Sequence, residues 1–132
     1  MNTQQQQVRT WSMLCHLSAL AGLIIPFGSI IGPLIVWQIK KNELPEIDPH
    51  GKESVNFQIT ILIISLIFSA FLFGSLGYGI LFGSPFALFA GSLGLGSILS
   101  LIRLASWVLV IIASIRANNG ELFHYPSIKF IR

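Results

Sequence analysis

From Ser54 to Ile102 the chain runs for 49 residues without an Asp, Glu, Lys, Arg or His. About 18 apolar residues already suffice to carry a helix across the roughly 30 Å hydrocarbon core of a bilayer, so this stretch is long enough to cross and return. Ser84-Pro85 divides it: Ser is a favoured N-cap, and Pro fits the first helical turn, where its missing N–H is no loss. The pattern predicts one helix from about Glu53 to Phe82 and another from about Pro85 to Ala117. At 1.5 Å per residue each comes to roughly 45 to 50 Å. Helices of that length must tilt, break at their glycines or project into the headgroup region.

Composition closes the soluble alternative. Only 10% of the residues are charged and 53% are apolar, whereas a soluble domain carries about 25% charged residues. These few charges cannot clothe a water-facing surface. The expected class is an all-α integral membrane protein with three transmembrane segments, over about 11–39, 53–82 and 85–117, in a single domain from 11 to 132. The net charge of +3 comes from basic residues that flank apolar segments rather than cluster with exposed aromatics, so it reads as orienting charge and not as a nucleic-acid surface. Cys15 is the single cysteine; it allows neither an intramolecular disulfide nor a multi-cysteine metal site.

Residues 1–10 are polar, with Gln4 to Gln7 in a row, and are expected to be a disordered tail. The apolar run that follows continues past the small-residue site at Ala19-Leu20-Ala21 and is interrupted by His16, so it is read as uncleaved. Within 11–39 the sequence Pro26-Phe27-Gly28-Ser29-Ile30-Ile31-Gly32-Pro33 breaks the helix. Two arrangements follow: one kinked span, or two half-helices that enter and leave by the same side under cover of other protein. The single kinked span is the expected one, because the second half is too short to cross alone. Ser12, Cys15, Ala19 and Gly22 form a narrow face of small side chains suited to close helix packing. The charged loop Lys40 to Glu53 is broken by Pro45, Pro49 and Gly51 and lies outside the bilayer. Glu46, Asp48, His50 and Glu53 match no known ligand-loop spacing, so a solvated loop is preferred to a cation site.

Small and polar residues then mark two surfaces. Gly74, Gly77, Gly91 and Gly94 are assigned to helix packing. Ser92, Gly96, Ser100, Arg103 and Trp107 share one helical face, a candidate functional surface in an otherwise apolar helix. Arg103 precedes Arg116 by 13 positions, about 20 Å along a helix. Either it sits deep and needs a partner, such as the Ser65 and Ser69 hydroxyls or carbonyls freed at Pro26 or Pro33, or the helix breaks near Gly94 to Gly96 and leaves it close to the opposite surface. Helix termination at Arg116-Ala117-Asn118-Asn119-Gly120 follows from the basic last turn and the left-handed cap that Gly supplies. The remainder, 121–132, mixes Leu122, Phe123, Tyr125, Ile128, Phe130 and Ile131 with His124, Lys129 and Arg132, as an amphipathic interfacial tail does.

Four stretches together, Met13 to Ala19, Pro26 to Leu34, the DPHGKESVNFQ run from Asp48 to Gln58 and Ala113 to Pro126 with its RANNGE core, resemble the Tic-twenty-like family. That family, long catalogued as a domain of unknown function, looks related to a chloroplast inner-envelope protein-import subunit and includes the magnetosome membrane proteins MamF and MmsF. The resemblance implies a small helical multipass protein rather than an activity. The glycine-rich middle and Arg103 depart from the family pattern, so no role for Arg103 is carried over.

The chain has no paired intramembrane carboxylate, no H-E-x-x-H, no G-x-S-x-G and no phosphate loop, and no catalytic residue, cofactor or metal is assigned. The expected function is a non-enzymatic assembly or oligomerising module of the membrane, in contact with the lipid bilayer and with further copies or other membrane proteins. The alternative is a pore or translocation subunit. With three spans, Lys40, Lys41, Lys52, Arg116, Lys129 and Arg132 share one side, which the positive-inside rule makes cytoplasmic, in a bacterial inner membrane.

Overall fold

A computed structural model describes residues 2–25 and 27–132; the expected break at Pro26 itself lies outside the described residues. The described residues form helices joined by short turns, with no strand among them, and the chain is non-helical after Asn118. Helix α1 spans Thr3–Leu17 and continues as a 3-10 turn over Ser18–Leu23. Helix α2 spans Gly28–Lys40, α3 spans Asp48–Phe82, and α4 spans Pro85–Asn118. Two of these, α3 with the turn before it and α4, are long and apolar enough to cross a membrane.

The polar start of the chain is ordered, contrary to the expected disordered tail. The Gln5 N–H donates to Asn2 Oδ1 at 2.8 Å while the Asn2 N–H donates to Gln5 Oε1 at 3.2 Å, a capping box that satisfies two donors of the first turn. Val8 and Trp11 then pack against the core of Cys15, Trp37, Leu44, Ile47 and Val55. A capped helix with an anchored face does not need apolar residues at every position.

The first apolar segment is likewise not the single kinked span that was expected. Phe27 takes a left-handed φ of 61°, its carbonyl accepts from the Ile30 and Ile31 N–H groups, and α2 returns along the 3-10 turn and α1. The two arms touch backbone to backbone. A Cβ at Gly32 would overlap the Ser18 carbonyl, so only glycine allows this approach. The Gly28-x-x-x-Gly32 spacing and the small residues opposite it turn a helix break into a hairpin.

The chain divides into two compact units. The first comprises Met1–Thr60 and Trp107–Arg132: the hairpin, the central loop with a 3-10 turn at Pro45–Ile47, the start of α3, the end of α4 and the C-terminal segment. Its burial is inverted relative to a water-soluble domain. Ser12, His16, His50, Asn56, Gln58 and Ser114 are inside, while Ile24 at the hairpin tip is 87% exposed, with Leu23, Ile25, Phe27, Ile35 and Ile39 also outward. Buried polar groups and a large exposed apolar surface are the informative departures from a water-soluble domain.

The second unit, Ile61–Ser106, holds the turn between the long helices. Gly83 has φ 62°, and Ser84 caps the following helix by accepting the Ala87 N–H at 3.3 Å, with Pro85 in its first turn. Helix α4 does not break near Gly94 to Gly96. It widens into a π-helical turn over Ala90–Leu95, which the glycines there permit, and then resumes α geometry. At its other end α4 closes as a Schellman motif: Gly120 has φ 86°, its N–H donates to the Ala117 carbonyl, and the Glu121 N–H donates to the Arg116 carbonyl.

Candidate functional site

Polar side chains converge in the first unit where α1, the start of α3 and the C-terminal segment meet. On α3, Glu53, Asn56 and Thr60 stand at i, i+3 and i+7, one helical face. Each receives backbone from the extended segment after Gly120. Glu53 Oε2 accepts the Tyr125 N–H at 3.0 Å. Thr60 Oγ1 accepts the Ile128 N–H at 3.1 Å. The Asn56 amide is bonded twice, accepting from Ile131 N–H and donating to Ile131 O, both at 2.8 Å. This non-helical segment has no strand beside it to take up its backbone N–H groups. Three side chains of a helix supply the acceptors that a sheet would otherwise provide, and the segment is strapped down rather than left as an interfacial tail.

Beneath the strap runs a line of three rings. His16 Nδ1 lies 3.0 Å from the Tyr125 hydroxyl, and His16 Nε2 lies 3.2 Å from His50 Nδ1. The Tyr125 ring stacks on Phe57 with centroids 4.2 Å apart and meets Phe123 edge-on at 5.1 Å. Burial, and then the nearby Glu53 charge, push the Tyr125 phenol well above its ordinary range, so it remains a neutral hydrogen-bonding group. Glu53 is the hub on the other side: Lys129 Nζ donates to both its oxygens at 2.6 Å, and His124 Nδ1 is 3.4 Å from Oε1. Asp48, one turn earlier, accepts from Trp37 Nε1 at 2.9 Å and pairs with Lys52 at 2.6 Å.

This geometry fastens the C-terminal segment to the start of α3. His16 is 0% and Tyr125 3% exposed, so nothing reaches either unless the strap lifts. Three of the four loop residues weighed as a cation site are given to other tasks: Asp48 goes to Lys52 and Trp37, His50 to His16, and Glu53 to the strap. Two open grooves of about 390 Å³ each flank the arrangement, one against Gln5, Arg9, Glu46 and Gly120, the other between the start of α3 and the strap. The ring line borders neither of them.

The residues singled out from sequence lie elsewhere. Ser92, Ser100 and Arg103 are exposed, and Gly96 and Trp107 are half-buried. The π turn adds a residue between Ser92 and the Gly96, Ser100, Arg103, Trp107 line, which turns Ser92 away from it. The hydroxyls are also spent locally: Ser92 donates to the Leu88 carbonyl, Ser97 to Leu93, Ser100 to Gly96 and Ser106 to Arg103, which leaves that surface less polar than its composition. Gly91 makes a close approach within the second unit, where a Cβ would strike Ser75 and Leu76, whereas Gly74, Gly77 and Gly94 have open space. Tyr125, Glu53, Asn56 and Thr60 were not singled out from sequence as a site, although the i, i+3, i+7 spacing of the last three was readable.

The model of one protein family, described as the magnetosome magnetite crystal formation protein family, matches residues 7–131. No curated protein and no solved structure matches the chain.

Proposed function

We propose, for a chain that belongs to the magnetosome magnetite crystal formation protein family, the role of a non-enzymatic membrane module that assembles with further copies of itself or with other membrane proteins. The observation that carries this reading is the surface of the second unit. Gly74, Gly77 and Gly94 would each accept a Cβ without meeting any atom of the chain, and the nearby Phe71, Phe73 and Leu93 are exposed. Small residues facing outward from long apolar helices let a second helix come close, where packing rather than water exclusion drives association in lipid. In this reading α3 and α4 cross a bacterial inner membrane, and the first hairpin dips in and returns, its broken backbone covered by protein. Every Lys and Arg except Arg103 then falls on one side, which becomes the cytoplasmic one.

The test is oligomer size in mild detergent. Gly74→Leu and Gly94→Leu are expected to weaken association by about 1 to 3 kcal/mol each, seen as a shift toward monomer on dilution with unchanged helical content. Unchanged oligomer size in both variants would show that these glycines face only lipid.

A second reading, a translocation subunit, is supported by Arg103, an exposed cation with no ion pair among the described residues, and by the wider Tic-twenty-like kinship that the stretches quoted above suggest. Conductance of the reconstituted chain, lost in Arg103→Leu, would favour it. The internally bonded serines beside Arg103 weigh for the assembly role.

A further inference from the structure

We propose that the groove between the first turns of α3 and the C-terminal strap holds the phosphate of an anionic lipid headgroup. The groove, about 390 Å³, is lined by the cationic Lys52, Lys129 and Arg132, by His124, and by the apolar Leu122 and Ile131. Lys129 is held by Glu53 and Lys52 by Asp48, both at 2.6 Å; the Lys129 ammonium spends its three donors on Glu53 and Ser127, whereas Lys52 is fixed in place with donors to spare. No carboxylate pairs with Arg132 among the described residues, and its guanidinium suits a phosphate's paired oxygens. With Asp48 and Glu53 offsetting Lys52 and Lys129, Arg132 supplies the net positive charge at the opening.

Position selects a lipid over a free phosphate. The groove borders Lys52 and Glu53, immediately before the charge-free stretch begins at Ser54, and so stands at the level where a crossing helix meets headgroups. On the strap, Ile128 and Phe130 alternate with Lys129 and are exposed, the arrangement of a segment whose apolar side chains enter the acyl boundary while its cation stays with the phosphates. The assignment rests on the bilayer reading above but not on self-association.

The experiment uses the full chain in mild detergent with phosphatidylglycerol or phosphatidylcholine added, and native mass spectrometry to count retained lipid. Preferential retention of phosphatidylglycerol is expected, reduced about fivefold by Arg132→Gln and by Lys52→Gln but not by Arg116→Gln, which lies outside the groove. Equal retention of the two lipids, or no loss in Arg132→Gln, overturns the proposal. Displacement of the lipid by inorganic phosphate at equal concentration also overturns it, by reassigning the groove to a soluble anion. The same preparation is first extracted from membranes with alkaline carbonate: release of the chain there would sink the bilayer reading together with this one, whereas resistance with equal lipid retention sinks this one alone.

Discussion

Glu53→Ala is expected to free the C-terminal strap and to cost about 2 to 3 kcal/mol. The carboxylate is 11% exposed and holds the Tyr125 N–H, the Lys129 ammonium and His124 at once. Its removal leaves a buried N–H without an acceptor and a lysine without a counter-charge, and unmet buried partners dominate such losses. Because Lys129 is 40% exposed, water recovers part of the deficit, which keeps the figure below that of a fully buried pair. Lys129→Ala should therefore cost under about 1 kcal/mol, and Glu53→Gln, which retains one acceptor, should fall between. Thermal unfolding in detergent gives the order. Limited trypsin digestion after Lys129 reports the strap directly, with rapid cleavage expected in Glu53→Ala. Equal stability and equal protection in parent and variant would mean that Asn56 and Thr60 hold the strap without Glu53.

The other large effect is expected at Gly32. A side chain there collides with the Ser18 carbonyl, a backbone atom that cannot swing aside. The arms of the first hairpin must separate, and Gly32→Leu should lose about 3 kcal/mol, the upper range of overpacking costs, with Gly32→Ala somewhat less. Ile31→Ala, its outward-facing neighbour, should stay within about 0.5 kcal/mol of the parent. Unfolding followed by the fluorescence of Trp11 and Trp37, one in each arm, separates the cases. A neutral Gly32→Leu would mean that the arms do not pack against each other.

The long helices were legible because their signals are one-dimensional: a charge-free run for α3 and α4, Ser84-Pro85 for the turn, Asn119-Gly120 for the stop. Hairpin and kinked span were not separable in the same way. Pro26 to Pro33 announces a break under either arrangement, and what decides is whether residues 18 and 32 can touch, a contact between backbones that no pattern of side-chain polarity records. The polar start was misread as disordered because glutamines supply no apolar face, yet Asn2 and Gln5 were spaced as a capping box and Val8 and Trp11 as a face. The strap was half readable. Glu53, Asn56 and Thr60 line one side of a helix about to enter an apolar stretch, which demands partners, but that Tyr125, Ile128 and Ile131 supply them depends on a chain reversal across more than 65 residues. His16 stands in the sequence only as an interruption of an apolar run; its pairing with His50 and Tyr125 again depends on segments far apart in the chain.

If the start of α1, the central loop and the C-terminal strap form one folded body, all three must lie on the same side of the membrane. Single cysteines placed in a Cys15→Ser background at Gln4, Asn42, Asn119 and Phe82 test this with a membrane-impermeant thiol reagent on sealed cells and on inverted vesicles. The first three are expected to react only in inverted vesicles, and Phe82→Cys only in sealed cells. Labelling of Gln4→Cys from outside, with Asn42→Cys labelled from inside, would restore a single crossing by residues 11–39 and contradict the hairpin, the buried His16 line and the strap together.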